Sequence, residues 1–251
     1  MSFLSKKYDF IVIGGGIIGL SSAMQILEKF PQKKLLLIEK ENSLAFHQSG
    51  HNSGVIHAGV YYQPGSLKAK FCKMGVNKTI EFCSKHQIPF EQCGKLIVAT
   101  SKNELEGLSS LEKRCKQNGL NPSRLNHSQL KKIEPNINGL EAIKVTETGI
   151  VDYIRMSEVM GKIIHDRGGQ ILLGSEVTEI IENKNEVKVE VNADKKSIIE
   201  SEFLVCCGGL QSDRLAKMAG LKINYKIIPF RGDYYLLNKI HNNIVNHLIY
   251  P

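Results

Sequence analysis

The chain has 251 residues, of which 42% are hydrophobic and 23% charged, an ordinary balance for a globular protein and one that excludes long disorder. No apolar run approaches the length that spans a bilayer. The formal net charge is +8, but the lysines are scattered and no aromatic-interleaved basic stripe accompanies them, which points away from nucleic acid. A basic surface favours anionic substrates and leaves peripheral contact with acidic lipid headgroups open. Met1 to Tyr8 carry neither the apolar region of a secretory signal nor an Arg-rich presequence, so the expectation is a cytoplasmic protein. The six cysteines form no C-x-x-C pair and are expected as free thiols. His47, His51 and His57 lack Cys or carboxylate at ligand spacing, so no metal site is expected.

In chain order, Phe10–Ile13 is a short apolar run suited to a strand buried on both faces. A glycine-rich turn covers Gly14–Gly19. From Ile17 to Phe30, Ile18, Ala23, Ile26 and Leu27 recur at helical spacing, and Pro31 closes the helix. Leu35–Ile38 reads as a second buried strand, ended by Glu39. Strand, turn, helix and strand make one βαβ unit, which requires parallel pairing and a right-handed crossover. Residues 43–65 are rich in Gly, Ser, His and Asn and read as a long functional loop.

Helices are expected at about 67–86 and 102–118, with a strand at Lys95–Ala99 between them. Residues 140–152 read as a strand entering a helix at Ile154–Arg167. Gly168 and Gly169 end that helix, and Ile171–Leu173 starts another strand. Val187, Val189 and Val191 alternate before a polar turn at Asn192–Lys196, the pattern of a hairpin or meander over 177–203. Phe203–Cys206 is a buried strand leading into Gly208, Gly209 and a helix at about Gln211–Ala219. Tyr225–Leu237 reads as a closing strand, and Asn246–Pro251 begins a further element.

The motif with most chemical content is Gly14-x-Gly16-x-x-Gly19, between a strand and a helix, with Glu39 ending the next strand about 20 residues on. Gly14 permits the tight turn, Gly16 lets backbone amides approach a pyrophosphate, and Gly19 allows close helix–strand packing. The helix N-terminus offers the positive end of its dipole to the anion, and Glu39 accepts from the ribose hydroxyls. A bound dinucleotide follows. Glu39 disfavours NADP, whose 2′-phosphate it would repel. The single G-x-G-x-x-G and the second glycine turn at Gly208 and Gly209 favour FAD over NAD.

These segments resemble the L-2-hydroxyglutarate oxidase/dehydrogenase family, within the D-amino-acid-oxidase-like flavoproteins. The resemblance is carried by 8–39, the loop His47–His57, Tyr61–Lys68, Gly149–Asp152, Cys207–Arg214 and Pro229–Tyr235. One departure is Cys-Gly-Gly-Leu at 207–210, where the family tends towards Cys-Ala-Gly-Leu. The resemblance implies FAD cradled by Gly14, Gly16, Gly19, Glu39 and Lys40. It places the Ser49, Asn52 and Ser53 loop beside the flavin and the Val177 backbone at the adenine. It further implies a fold that continues past residue 251 to complete the sheet and cover the flavin, so the chain alone is expected to hold FAD poorly.

The expected fold is therefore α/β: a discontinuous Rossmann-like FAD-binding domain with a parallel sheet (1–84 and 145–220), and an inserted strand-rich α+β substrate lobe (85–144 and 221–251). The expected function is oxidation of a 2-hydroxy acid, foremost L-2-hydroxyglutarate, by hydride transfer to FAD. The electrons would pass on to oxygen, a quinone or an electron-transfer protein. A glycine/sarcosine-type amine oxidase and a non-catalytic FAD-binding fragment stay open. Removing the hydroxyl proton calls for a base, and His51 in the flavin-side loop is the first choice, with His57 next. A substrate carboxylate calls for a planar cation, for which Arg231 on the last expected strand is the candidate. Cys206 and Cys207, ending a buried strand, read as packing rather than as covalent flavin attachment.

Overall fold

The computed structural model describes residues 7–193 and 195–251; Met1–Lys6, read above for a leader, and Asp194, within the expected polar turn, lie outside the described residues. Strand β1 (Lys7–Ile13), helix α1 (Ile17–Lys29) and strand β2 (Leu35–Ile38) form the expected βαβ unit. All four positions of β2 are buried, as a continuous apolar run inside a parallel sheet requires. A short strand, β3 (Val55–Ile56), interrupts the long polar loop before α2 (Leu67–Lys85). Ser66 starts that helix, its Oγ accepting from the Ala69 N–H at 3.2 Å.

Strands β4 (Phe90–Glu91) and β5 (Lys95–Ala99) precede α3 (Glu104–Gln117). Strand β6 (Ser123–Asn126) runs into α4 (His127–Ile133), opened by a capping box between Asn126 and Gln129. The single strand expected over 140–152 is two, β7 (Glu141–Val145) and β8 (Gly149–Val151). The chain turns at 146–148, and each strand joins a different sheet. Helix α5 (Tyr153–Asp166) is followed by Gly168 at φ +82°, the left-handed stop that glycine supplies. Then come β9 (Gln170–Leu172), β10 (Glu176–Glu182), β11 (Val187–Asn192), β12 (Lys196–Cys206), α6 (Ser212–Met218) and β13 (Leu248–Tyr250).

The strand expected at Tyr225–Leu237 does not form. Residues 221–238 carry neither helix nor strand, and Phe230, Tyr235 and Leu236 are more than nine-tenths exposed. Their apolar pattern meets no partner strand among the described residues, and a strand without a pairing edge gains nothing from pattern alone.

The chain divides into two compact units. The first, Met1–Asn52 with Tyr153–Gly232, carries a six-stranded sheet in the order β10-β11-β12-β1-β2-β9. Strands β12, β1, β2 and β9 pair in parallel, while β10, β11 and β12 form an antiparallel meander. Ile11, Leu36, Val189, Val191 and Ile199 belong to its core. The second unit, Ser53–Asp152 with Asp233–Pro251, holds a four-stranded sheet, β13-β5-β7-β6, and a three-stranded one, β3-β8-β4. Ile97 and Ala99 of its larger sheet pack with Leu108 and Cys115 of α3, and Leu96 and Val98 with Leu130 of α4.

These boundaries differ from those expected. Residues 53–84 and 145–152 fall in the second unit because β3 and β4 both pair with β8. Residues 221–232 fall in the first, where the Ile227 N–H donates to Asp213 of α6 at 3.1 Å.

Candidate functional site

The site of the first unit is built where β12, β1 and β2 end side by side. The Gly14 N–H donates to the Ile38 carbonyl at 2.8 Å, and the Cys207 N–H donates to the Ile13 carbonyl at 2.8 Å. Between these two ties Gly14 adopts φ +114°, and a side chain there would collide with the Cys207 carbonyl. Gly19 faces the Gly14 carbonyl so closely that a methyl group would collide with it, which lets α1 lie directly on β1.

Gly16 opens α1 in an extended conformation, and no acidic residue occupies the first turn. The Ile17 N–H donates to Ser49 Oγ at 2.9 Å, so the long loop returns to the helix N-terminus. Ser49 takes that one N–H, and with no acidic side chain in the first turn the positive end of the helix dipole still favours an anion.

Glu39 is 8% exposed and held at both oxygens. Oε2 accepts from the Gly15 N–H at 2.5 Å and Oε1 from the Glu41 N–H at 2.9 Å. Beside it, Glu41 takes Lys40 Nζ at 3.2 Å and His47 Nε2 at 2.9 Å, and these two partners hold its carboxyl below the usual range.

A cleft of about 680 Å³ opens here, at the carboxyl ends of β12, β1 and β2. Of the residues expected to hold cofactor, Gly14, Gly16, Glu39, Lys40, Ser49, Val177, Gly208 and Gly209 all line it. Gly19 stands behind the lining in α1. Asn52 closes the loop, its Nδ2 donating to the carbonyls of Gln48 at 3.1 Å and Ser49 at 2.8 Å. Ser53 belongs to the second unit.

His51 is exposed and does not line the cleft; its Nδ1 lies 3.1 Å from the His47 carbonyl. A carbonyl only accepts, so Nδ1 carries the hydrogen and the lone pair of the neutral ring sits on Nε2. Arg231 lies in the irregular stretch of the first unit, exposed and off any strand, which corrects its expected placement.

Lining residues not singled out from sequence include His47, Gln48, Ser175 and Arg214. Arg214 lies one turn beyond the second glycine pair and is the one that helical spacing points to. Burial pushes the Cys207 thiol up, which keeps it protonated, while Cys206, read with it as packing at the end of a buried strand, is exposed. Among the described residues no cluster of His, Cys, Asp or Glu suits a metal ion, and no helix is long and apolar enough to cross a membrane.

A backbone cradle that side chains would fill, a helix N-terminus without an acidic residue in its first turn and a fixed acidic group at the next strand end fit an adenine dinucleotide. Residues 9–251 match the family described as FAD dependent oxidoreductase. The chain is 48% identical over 244 residues to L-2-hydroxyglutarate dehydrogenase of Escherichia coli (strain K12), covering 97% of this chain and 57% of that protein. It is 40% identical over 259 residues to the mitochondrial L-2-hydroxyglutarate dehydrogenase of Nematostella vectensis, covering 98% and 57%. The chain thus spans just over half the length of these relatives.

Among solved structures, the dithionite-reduced L-alpha-glycerophosphate oxidase from Mycoplasma pneumoniae with FAD bound superposes with a TM-score of 0.77 at 27% identity, over 85% of this chain and 57% of that one. Glycine oxidase from Geobacillus kaustophilus shares the fold, with a TM-score of 0.78 at 17% identity over 87% and 60% of the two chains. A family match running from the first described strand to the last residue, met by a fold shared with an FAD-bearing oxidase, makes this chain a member of the FAD-dependent oxidoreductases.

Proposed function

We propose that the protein oxidises L-2-hydroxyglutarate, or a close 2-hydroxy acid, to the 2-oxo acid with FAD held by the first unit. The observation that carries this reading is the 48% identity to L-2-hydroxyglutarate dehydrogenase across 97% of the chain. In this reading the first unit is the FAD-binding domain and the second belongs to the substrate lobe. Gly14, Gly16 and the α1 N-terminus take the pyrophosphate, with Gly19 keeping the helix close. Glu39 and Lys40 take the ribose, the Val177 backbone the adenine, and Ser49, Asn52 and the Gly208–Gly209 turn the flavin side. FAD, when bound, supplies the acceptor for the hydride leaving the substrate α-carbon.

The chain's own residues supply the acid–base and electrostatic parts. His51 accepts the hydroxyl proton at Nε2, the nitrogen its bond to the His47 carbonyl leaves with a lone pair. Arg231 pairs with a substrate carboxylate through two parallel N–H bonds. The net charge of +8 favours an anionic substrate. Electrons then pass to oxygen, a quinone or an electron-transfer protein. The protein acts in the cytoplasm without a nucleic-acid partner, and its basic surface leaves peripheral contact with acidic lipid open.

Anaerobic mixing of the full-length protein with L-2-hydroxyglutarate should bleach the flavin absorbance, and glycine or sarcosine should not. Bleaching by the amines alone would replace this reading with an amine oxidase, and an oxidised flavin under both classes would leave a non-catalytic FAD-binding protein.

A further inference from the structure

Every position of β5 is buried, and four of its five residues are the apolar ones such a strand requires. The fifth is Lys95, 2% exposed, on the strand face it shares with Ile97 and Ala99. No carboxylate of the described residues reaches its ammonium group. Nζ lies instead 3.8 Å from the ring centre of Tyr250 and 5.2 Å from that of Tyr61. The other titratable groups acting on it are the thiols of Cys72 in α2 and Cys115 in α3 and the imidazole of His57. Burial pushes the Lys95 amine down, and the thiols oppose that shift.

The wall around it is rigid. Tyr61 stands in a loop with four tied carbonyls. Arg114 donates to Tyr61 O at 3.2 Å, Asn118 to Gly59 O and Tyr62 O at 3.1 and 2.9 Å, and the Cys72 thiol to His57 O at 2.8 Å. The Tyr61 ring is nonetheless 46% exposed, and burial raises its phenol, which therefore stays a proton donor at neutral pH. Tyr250 is held by β13, which pairs in parallel with β5.

An apolar residue of the same volume would fill the Lys95 position at lower cost, since a buried charge met only by ring faces lacks the ion pair that offsets its desolvation. A local rule broken in this way marks a functional position more often than a structural one. An ammonium held against two aromatic ring faces, with no carboxylate beside it among the described residues, is a cation suited to receiving a carboxylate. We propose that Lys95, with Tyr61 and Tyr250, binds a carboxylate group of a small organic acid in the second unit. The inference goes beyond the oxidation proposed above and does not use the residues named for it. The carboxylate belongs either to the oxidisable substrate or to a separate dicarboxylate effector.

Glutarate, which carries no oxidisable hydroxyl, is the probe, titrated by calorimetry into the full-length FAD-loaded protein. Lys95→Met should weaken glutarate roughly ten- to hundredfold, and Tyr61→Phe about two- to tenfold, as expected for losing a charged and a neutral hydrogen bond. The melting temperature of unliganded Lys95→Met should equal or exceed that of wild type. At pH values where the amine is partly neutral, binding should take up protons, because a carboxylate favours the charged form that burial disfavours. Wild-type affinity then falls as pH rises through the amine pKa, and Lys95→Met removes that dependence. Competition between glutarate and the oxidised substrate identifies the carboxylate as the substrate's; a change in kcat without competition identifies an effector.

Equal affinity of wild type and Lys95→Met for glutarate overturns the proposal, as does a wild type that binds none at millimolar concentration. Should Lys95→Met fail to fold, Tyr61→Phe at its exposed ring carries the test, and unchanged affinity there counts against the site. None of these binding outcomes depends on whether L-2-hydroxyglutarate is oxidised.

Discussion

Gly14→Ala is the substitution whose cost can be worked most directly from the structure. At φ +114° an alanine is strained by about 1–3 kcal/mol before any contact is considered. Its methyl would also collide with the Cys207 carbonyl. Neither side can yield cheaply, because Gly14 N–H is tied to Ile38 and Cys207 N–H to Ile13, both at 2.8 Å. Relief requires the β1 and β12 turns to part, which deforms the cleft they line together. The combined penalty should exceed about 3 kcal/mol, a hundredfold or more in FAD affinity if it falls on binding. Gly168→Ala is the control: its φ is +82°, but nothing lies within 4 Å of the added methyl, so about 1 kcal/mol of stability and no FAD affinity should be lost. Flavin fluorescence titration and urea unfolding of the full-length protein give both quantities. Wild-type FAD affinity in Gly14→Ala, or an equal loss in Gly168→Ala, would refute the argument.

Glu39→Ala should weaken FAD about ten- to hundredfold, since it removes a charged acceptor whose orientation Gly15 and Glu41 fix; an unchanged fluorescence titration would sink the ribose assignment. His51→Ala should slow flavin reduction by roughly 10²–10⁴. Stopped-flow reduction tests this, and near-wild-type reduction by His51→Ala moves the base elsewhere. Arg231→Lys should lower kcat/KM for dicarboxylic hydroxy acids while leaving FAD content intact, because lysine lacks the planar two-bond fork. Loss of FAD instead would give Arg231 a structural role.

The cofactor half of the site was legible because its grammar is local. Gly14, Gly16, Gly19 and Glu39 lie within one βαβ unit, and short-range geometry alone demands those residue types at those spacings. The opposing wall was legible only as a second glycine pair. That Cys207 presses on Gly14 depends on β12 pairing with β1, which no spacing reveals. Arg231 was misplaced because alternating apolar residues describe a strand only if an edge awaits it. Lys95 read as an ordinary strand residue, since burial on both faces of β5 is set by α3 and α4 rather than by the strand itself. Likewise β7 and β8 read as one run, because the turn between them contains no glycine or proline.

The pairing of β1 with β12 also governs the order in which the protein can be made. Ile13 pairs with Cys206, about 190 residues later in the chain. At ribosomal speeds of about 5–20 residues per second, one edge of β1 waits roughly 10–40 s for its partner. During that interval β1 and β2 form a parallel pair with an apolar open edge, the kind that recruits other strands. Slow translation between the two halves of the first unit therefore lengthens the period of aggregation risk, and a chaperone that shields apolar strands has its greatest effect before Cys206 emerges.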